Sequence, residues 1–208
     1  MPPLSLTPLP TLRLSAHLIP SHDHLPNTTP HSHPLLIYHS AFHAPSQNPP
    51  TNNDLASKIE AHLTSNALTP QWRHTMYTRT HYHSTTHEVL CVYRGAARLL
   101  FGGETNPARV EVEVGVGDCV VVPAGVGHRL LEDFQNKDEG GGGEPFGMVG
   151  AYPDGCEWDM CYGGEAETEE RERVGTVKWF ERDVLYGADG PCLWGWERLK
   201  EVAAKGRE

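Results

Sequence analysis

The chain has 208 residues and a formal charge of −10 from 27 acids against 17 bases, with a mean hydropathy of −0.47. That length suits one domain with extensions, and so acidic a surface repels nucleic acid and anionic membrane, so neither is an expected partner. No run of about 18 apolar residues is present to span a bilayer, and five cysteines without metal-type spacing read as reduced thiols of a cytoplasmic protein.

Residues 1–50 hold eleven of the 17 prolines and seven of the 13 histidines. Proline or asparagine interrupts the segment at nearly every turn, so it reads as an extended or partly disordered arm without a function of its own. It also lacks the continuous apolar stretch of a secretory signal. Within it, Leu35-Leu36-Ile37-Tyr38 follows Pro34 and is expected as a strand along the edge of a sheet. A helical segment is expected over 51–75. There Leu55, Ile59 and Leu63 recur every four residues, Asn53 or Asp54 can cap the start, and Pro70 stops the pattern near Leu68.

After Trp72 the pattern turns to β. Strands are expected at Val89–Tyr93, closed by Gly95, and at Ala97–Phe101, ending on Gly102-Gly103. Val110–Val114 alternates apolar and acidic residues as a half-buried strand does, and Cys119–Val122 is a continuous apolar run ended by Pro123. The four consecutive glycines within 137–144 read as a surface excursion, and Met148–Tyr152 resumes β. The acidic stretch 165–172 is expected as a solvated loop or short exposed helix. The tail carries Trp179, Trp194 and Trp196, too aromatic to stay free of the body. Short strands with glycine turns at this spacing argue an all-β sandwich or small barrel over 76–155, with 156–208 packing on it.

His81-Tyr82-His83 places two imidazoles on one face of a strand, about 7 Å apart along the chain, within chelating reach of one ion. Glu88 follows and opens the Val89–Tyr93 strand. If it points inward, Leu90 and Val92 do too, while His87 and Cys91 point outward. His87 is the rival donor, excluded by this phase unless a bulge intervenes.

The pattern His-x-His-x4-Glu-x6-Gly, followed by Gly-x5-Pro-x-Gly-x2-His, resembles the two motifs of the cupin superfamily in spacing and order. The resemblance implies a jelly-roll-like β-barrel whose metal ligands are His81, His83, Glu88 and His128. Two positions depart from the common pattern, Thr75 for a glycine and Glu132 for an asparagine; neither is a ligand in the family. The runs at 81–90 (HYHSTTHEVL), 101–104, 123–128 and 150–155 look similar to a subfamily of bacterial and fungal single-domain cupins.

Three imidazoles and one carboxylate suit Fe(II), Mn(II) or Ni(II), with Co(II) and zinc as further choices. The resemblance implies a metal-dependent oxidoreductase or dioxygenase acting on a small, aromatic or polyketide-derived metabolite of secondary metabolism. The alternatives are a cupin isomerase or decarboxylase, or a non-catalytic metal-binding or small-molecule-binding cupin. A homodimer is also implied. Each ligand histidine should donate its second ring N–H to a neighbour, with Tyr82, Thr86 and Glu132 as sequence-near candidates.

Overall fold

The computed structural model describes residues 3–43, 52–135 and 144–205. Among these residues eleven strands alternate with few helices. In chain order they are β1 (Ser5–Leu6), β2 (Arg13–His17), β3 (Leu35–His39) and β4 (Phe42–His43), then helix α1 (Asn52–Ser65) and β5 (Leu68–His74). Next come β6 (Glu88–Arg94), β7 (Ala96–Phe101), β8 (Val110–Gly115), β9 (Cys119–Val122), β10 (His128–Asp133) and β11 (Gly147–Pro153). Helices α2 (Thr168–Val174) and α3 (Trp196–Lys205) follow. No helix among the described residues is long and apolar enough to cross a membrane.

A six-stranded sheet in the order β2-β3-β9-β6-β11-β5 faces a three-stranded sheet in the order β10-β7-β8. Between them, Leu90 and Val92 of β6 meet Leu35, Ile37, Val120, Met148, Leu99 and Phe101 in one buried core. This is the expected all-β, jelly-roll-like architecture of two facing sheets. The six-stranded sheet is also covered on its outer face. Val89 and Cys91 of β6, with Leu36, Tyr38 and Val121, pack under Leu55, Ile59 and Leu63 of α1 and under residues from both chain ends. Burial on two faces explains why β6 and β9 read as unbroken apolar runs. β8 stays half-buried and alternates.

Several elements differ from expectation for identifiable reasons. The described part of the N-terminal segment is built into the barrel rather than extending from it. Leu4, Leu12 and Leu14 join the outer core and Ile19 the inner one. The strand expected at Leu35–Tyr38 forms, one place in from the edge that β2 occupies. The helix ends at Ser65, and Leu68 opens β5, which runs through Pro70. β5 is an edge strand with a register shift opposite Gly150 and Ala151, where a missing N–H costs no ladder bond. Asn53 and Asp54 lie inside the first turn of α1 rather than before it. The glycine-rich excursion at 137–144 lies, apart from Glu144, outside the described residues.

One buried carboxylate knits the C-terminal segment together and ties it to β3. Asp183 is fully buried. Its Oδ2 accepts from the Tyr38 hydroxyl at 2.8 Å and the Cys192 amide at 3.0 Å, and its Oδ1 from the amides of Leu185 and Tyr186, both at 2.9 Å. Asp183→Ala removes the acceptor of all four donors and is expected to lower the unfolding free energy by roughly 3 kcal/mol or more. Urea denaturation checks this; a loss below about 1 kcal/mol would show that the segment is held by its apolar contacts instead.

Candidate metal centre

Backbone pairing brings the two motifs together. The amide of His81 donates to the His128 carbonyl at 3.2 Å and the amide of His128 to the His81 carbonyl at 2.8 Å. The turn after Pro123 is tied to the same place, because the Gly125 amide donates to the His83 carbonyl at 2.8 Å. Gly125 adopts a φ of +83°, and a Cβ there would stand 2.7 Å from Val174 Cγ1, so this tight turn requires glycine. Glu88 arrives from the next strand, at the start of β6. Its phase matches Leu90 and Val92, which point inward.

His81, His83, Glu88 and His128 are all buried. One ring nitrogen from each of the three histidines lies within 4.8 Å of the others. Glu88 adds Oε1 at 3.5 Å from His83 Nε2 and Oε2 at 3.3 Å from His128 Nε2. Every Nδ1 is already committed. His81 Nδ1–H donates to the Arg79 carbonyl at 3.1 Å, His128 Nδ1–H to the Val126 carbonyl at 2.9 Å, and His83 Nδ1–H to the Asp159 carbonyl. A carbonyl only accepts, so each bond fixes the proton on Nδ1 and leaves an Nε2 lone pair. The Nε2 of His83 is buried and makes no hydrogen bond. Three imidazole nitrogens and one carboxylate around such an orphaned atom fit a divalent ion.

Burial and the neighbouring His128 depress His81 to about 3, so it stays neutral and able to ligate. Burial also pushes His83 down, but the Glu88 carboxylate outweighs this and raises it. Burial alone would keep Glu88 protonated. His83 and His128 reverse that and hold it well below the usual carboxylate range.

The four donors face a cavity of about 190 Å³. Its walls include Trp72, Tyr77, Tyr152, Trp158, Met76 and Met160, and no lysine or arginine among the described residues lines it. Trp158 stacks on Tyr152 with ring centroids 6.2 Å apart and meets His83 edge-on at 5.8 Å. The strap carrying it is pinned beside the metal motif. Asp159 accepts from the Ser84 amide at 2.7 Å and the Ser84 hydroxyl at 2.5 Å, while Tyr82 and Cys161 exchange backbone bonds.

The structure thus gathers His81, His83, Glu88 and His128 and turns His87 away. The buried His87 Nδ1 accepts from the Ala124 amide at 2.8 Å, and its ring packs among His31, Trp179 and Phe180. Burial, with His31 and His33 beside it, lowers its pKa to about 3. The partners suggested for the ligand rings are elsewhere. Thr86 donates to the His87 carbonyl, Glu132 pairs with Arg98, and Tyr82 packs with Cys161. The acceptors are main-chain carbonyls, which carry no side-chain signature. Trp72, Tyr152 and Asp159 went unrecognised as site residues; the last lies 76 residues from its partner His83.

No protein-family profile matches the sequence. The chain is 34% identical over 164 residues to the uncharacterized protein YjlB of Bacillus subtilis (strain 168), covering 78% of this chain and 86% of that protein. Among solved structures, oxalate decarboxylase from Bacillus subtilis matches 46% of this chain at 21% identity with a TM-score of 0.32. Procruciferin, an 11S globulin from Brassica napus, matches 61% at 13% identity with a TM-score of 0.30. The matched part spans 22% of each of those two chains.

Replacing a donor and replacing its outward neighbour should have separable effects. His83→Ala is expected to abolish stoichiometric metal. His87→Ala is expected to keep one equivalent while losing stability, since the Ala124 amide loses its acceptor and a buried ring is removed. Elemental analysis with thermal denaturation reads both; a full equivalent retained by His83→Ala, or metal lost from a folded His87→Ala, would contradict the assignment.

Proposed function

This chain belongs to the family of Bacillus subtilis YjlB, and we propose that it is a metal-dependent cupin enzyme, an oxidoreductase or dioxygenase acting on a small aromatic metabolite. The observation that carries this reading is the opening of four buried donors onto an aromatic-walled cavity. A purely structural ion would be enclosed by protein ligands. Here, among the described residues, the remaining approach to the donors is through a cavity a small molecule can enter.

A divalent ion bound there supplies Lewis-acid polarisation or, where the metal is redox-active, electron transfer. The residues of the chain contribute the rest. His81, His83 and His128 present Nε2 and are held in orientation by the carbonyls of Arg79, Asp159 and Val126. Glu88 brings the one negative charge. The chain therefore leaves one positive charge of a divalent ion unbalanced, which a phenolate or enolate oxygen would neutralise. The absence of arginine and lysine from the described walls argues against a dianionic substrate, and Trp158 and Tyr152 offer flat faces for a ring.

The test is elemental analysis of the purified protein, then turnover of phenols, aromatic aldehydes and hydroxy acids with Fe(II), Mn(II), Ni(II) or Co(II), in air and without it. Oxygen-dependent turnover of an aromatic substrate is the expected result. Turnover unaffected by removing oxygen would move the assignment to the isomerase or decarboxylase alternative, and a fully loaded protein without turnover to a binding module. Trp158→Ala is expected to raise KM for the aromatic substrate about three- to tenfold, the worth of one aromatic contact, with a smaller effect on kcat. An unchanged KM would place the substrate elsewhere.

A further inference from the structure

Three neighbouring strands, β5, β11 and β6, bring one connected set of polar side chains to the cavity. They are Trp72, Tyr152 and Glu88. Trp72 Nε1–H donates to the Tyr152 hydroxyl oxygen at 3.0 Å, and that hydroxyl donates to Glu88 Oε1 at 2.5 Å. The direction of this chain is fixed by chemistry. An indole N–H can only donate and an ionised carboxylate can only accept, so the phenol accepts from one and must give its proton to the other.

The strand register supports the arrangement at its far end. Trp72 is the cross-strand partner of Gly150, and a Cβ at Gly150 would stand 2.0 Å from Trp72 Cε2. The indole lies in the space that any side chain at 150 would fill, within reach of Tyr152 two residues further along the same face. The two oxygens of Glu88 thereby become unequal. Oε1 is capped by the phenol, and Oε2, 3.3 Å from His128 Nε2, is the freer donor.

We propose that Trp72 and Tyr152 are positioning residues that set the orientation of the Glu88 carboxylate for metal binding, with Gly150 providing the seat for the indole. The proposal rests on the reading of His81, His83, Glu88 and His128 as a metal site. The relay acts on metal affinity and on the ligand field as well as on turnover. Trp72 acts only through Tyr152, so the two should not contribute independently.

Titration of the full-length, metal-stripped protein with Co(II), followed by its visible absorption, tests this. Tyr152→Phe, which removes one oxygen, is expected to weaken Co(II) binding about ten- to a hundredfold and to shift the Co(II) bands. Trp72→Phe should act in the same direction by less, and Gly150→Ala should imitate it by displacing the indole. The double variant of Trp72→Phe and Tyr152→Phe should bind Co(II) no worse than Tyr152→Phe alone, since additive losses are the mark of independent sites. If wild-type protein binds one equivalent and Tyr152→Phe matches its affinity and spectrum, or if the losses add, the relay is overturned while the metal site stands. If the wild-type protein binds no Co(II), both fall. Should Tyr152→Phe fail to fold, Trp72→Phe decides by the same titration: an affinity and spectrum equal to wild type overturn the relay.

Discussion

A carboxylate buried at the head of an inner strand is the constraint that organises this molecule. Glu88 opens β6, which lies near the middle of the six-stranded sheet, and its side chain is shut away from water. An isolated ionised carboxylate in such a place costs many kcal/mol, so it must protonate or be surrounded by compensating groups. The fold takes the second course. His83, His128 and the Tyr152 hydroxyl converge on it from three different segments, and their convergence requires the two motif loops to pair along His81 and His128. A divalent ion held in the cluster would answer the same electrostatic need, and the buried His83 Nε2 has no hydrogen-bond partner of its own.

Protecting that carboxylate demands cover on the far side of the sheet as well. The outer face carries Val89, Cys91 and Val121, and α1 and both chain ends are spent covering them. His31 of the N-terminal segment pairs its Nε2 with the Ala124 carbonyl, in the turn of the second motif. His33 stacks on Trp179 of the C-terminal segment at 4.2 Å. His31 and His33 of the histidine-rich start are therefore part of the shell behind the centre. Their rings stack on each other and His33 stacks on Trp179, and burial keeps His33 neutral down to about 4.

Much of the centre was legible because strands have a period of two. Once Glu88 was placed inward, Leu90 and Val92 followed, and His87 had to face away. The spacing of Pro123, Gly125 and His128 was equally readable, because a left-handed glycine and a proline leave few ways to turn a chain. Less legible were features set by pairing across long sequence separations. β5 enters the sheet only because β11 offers it an edge, and nothing in Leu68–His74, with proline inside it, announces a strand. β2 likewise owes its place to β3. The carbonyls of Arg79, Val126 and Asp159 belong to residues whose side chains have no part in those hydrogen bonds, so composition is silent about them.

The wall of the cavity and the orientation of a ligand are fixed by one short segment. Trp158 closes the cavity over Tyr152, and its neighbour Asp159 uses its carbonyl to hold His83 and its carboxylate to grip Ser84. Burial works against the charge on Asp159, but the Ser84 hydroxyl and amide outweigh it and keep the carboxyl ionised, so the grip persists at any ordinary pH. Trp158 is anchored a second time, through Nε1–H to Gln71 on β5 at 2.9 Å. The strap is thus tied at once to the ring of His83, through the Asp159 carbonyl, and to the strand that carries Trp72, through Gln71. One wall of the cavity and the orientation of one donor are joined through two adjacent residues, Trp158 and Asp159.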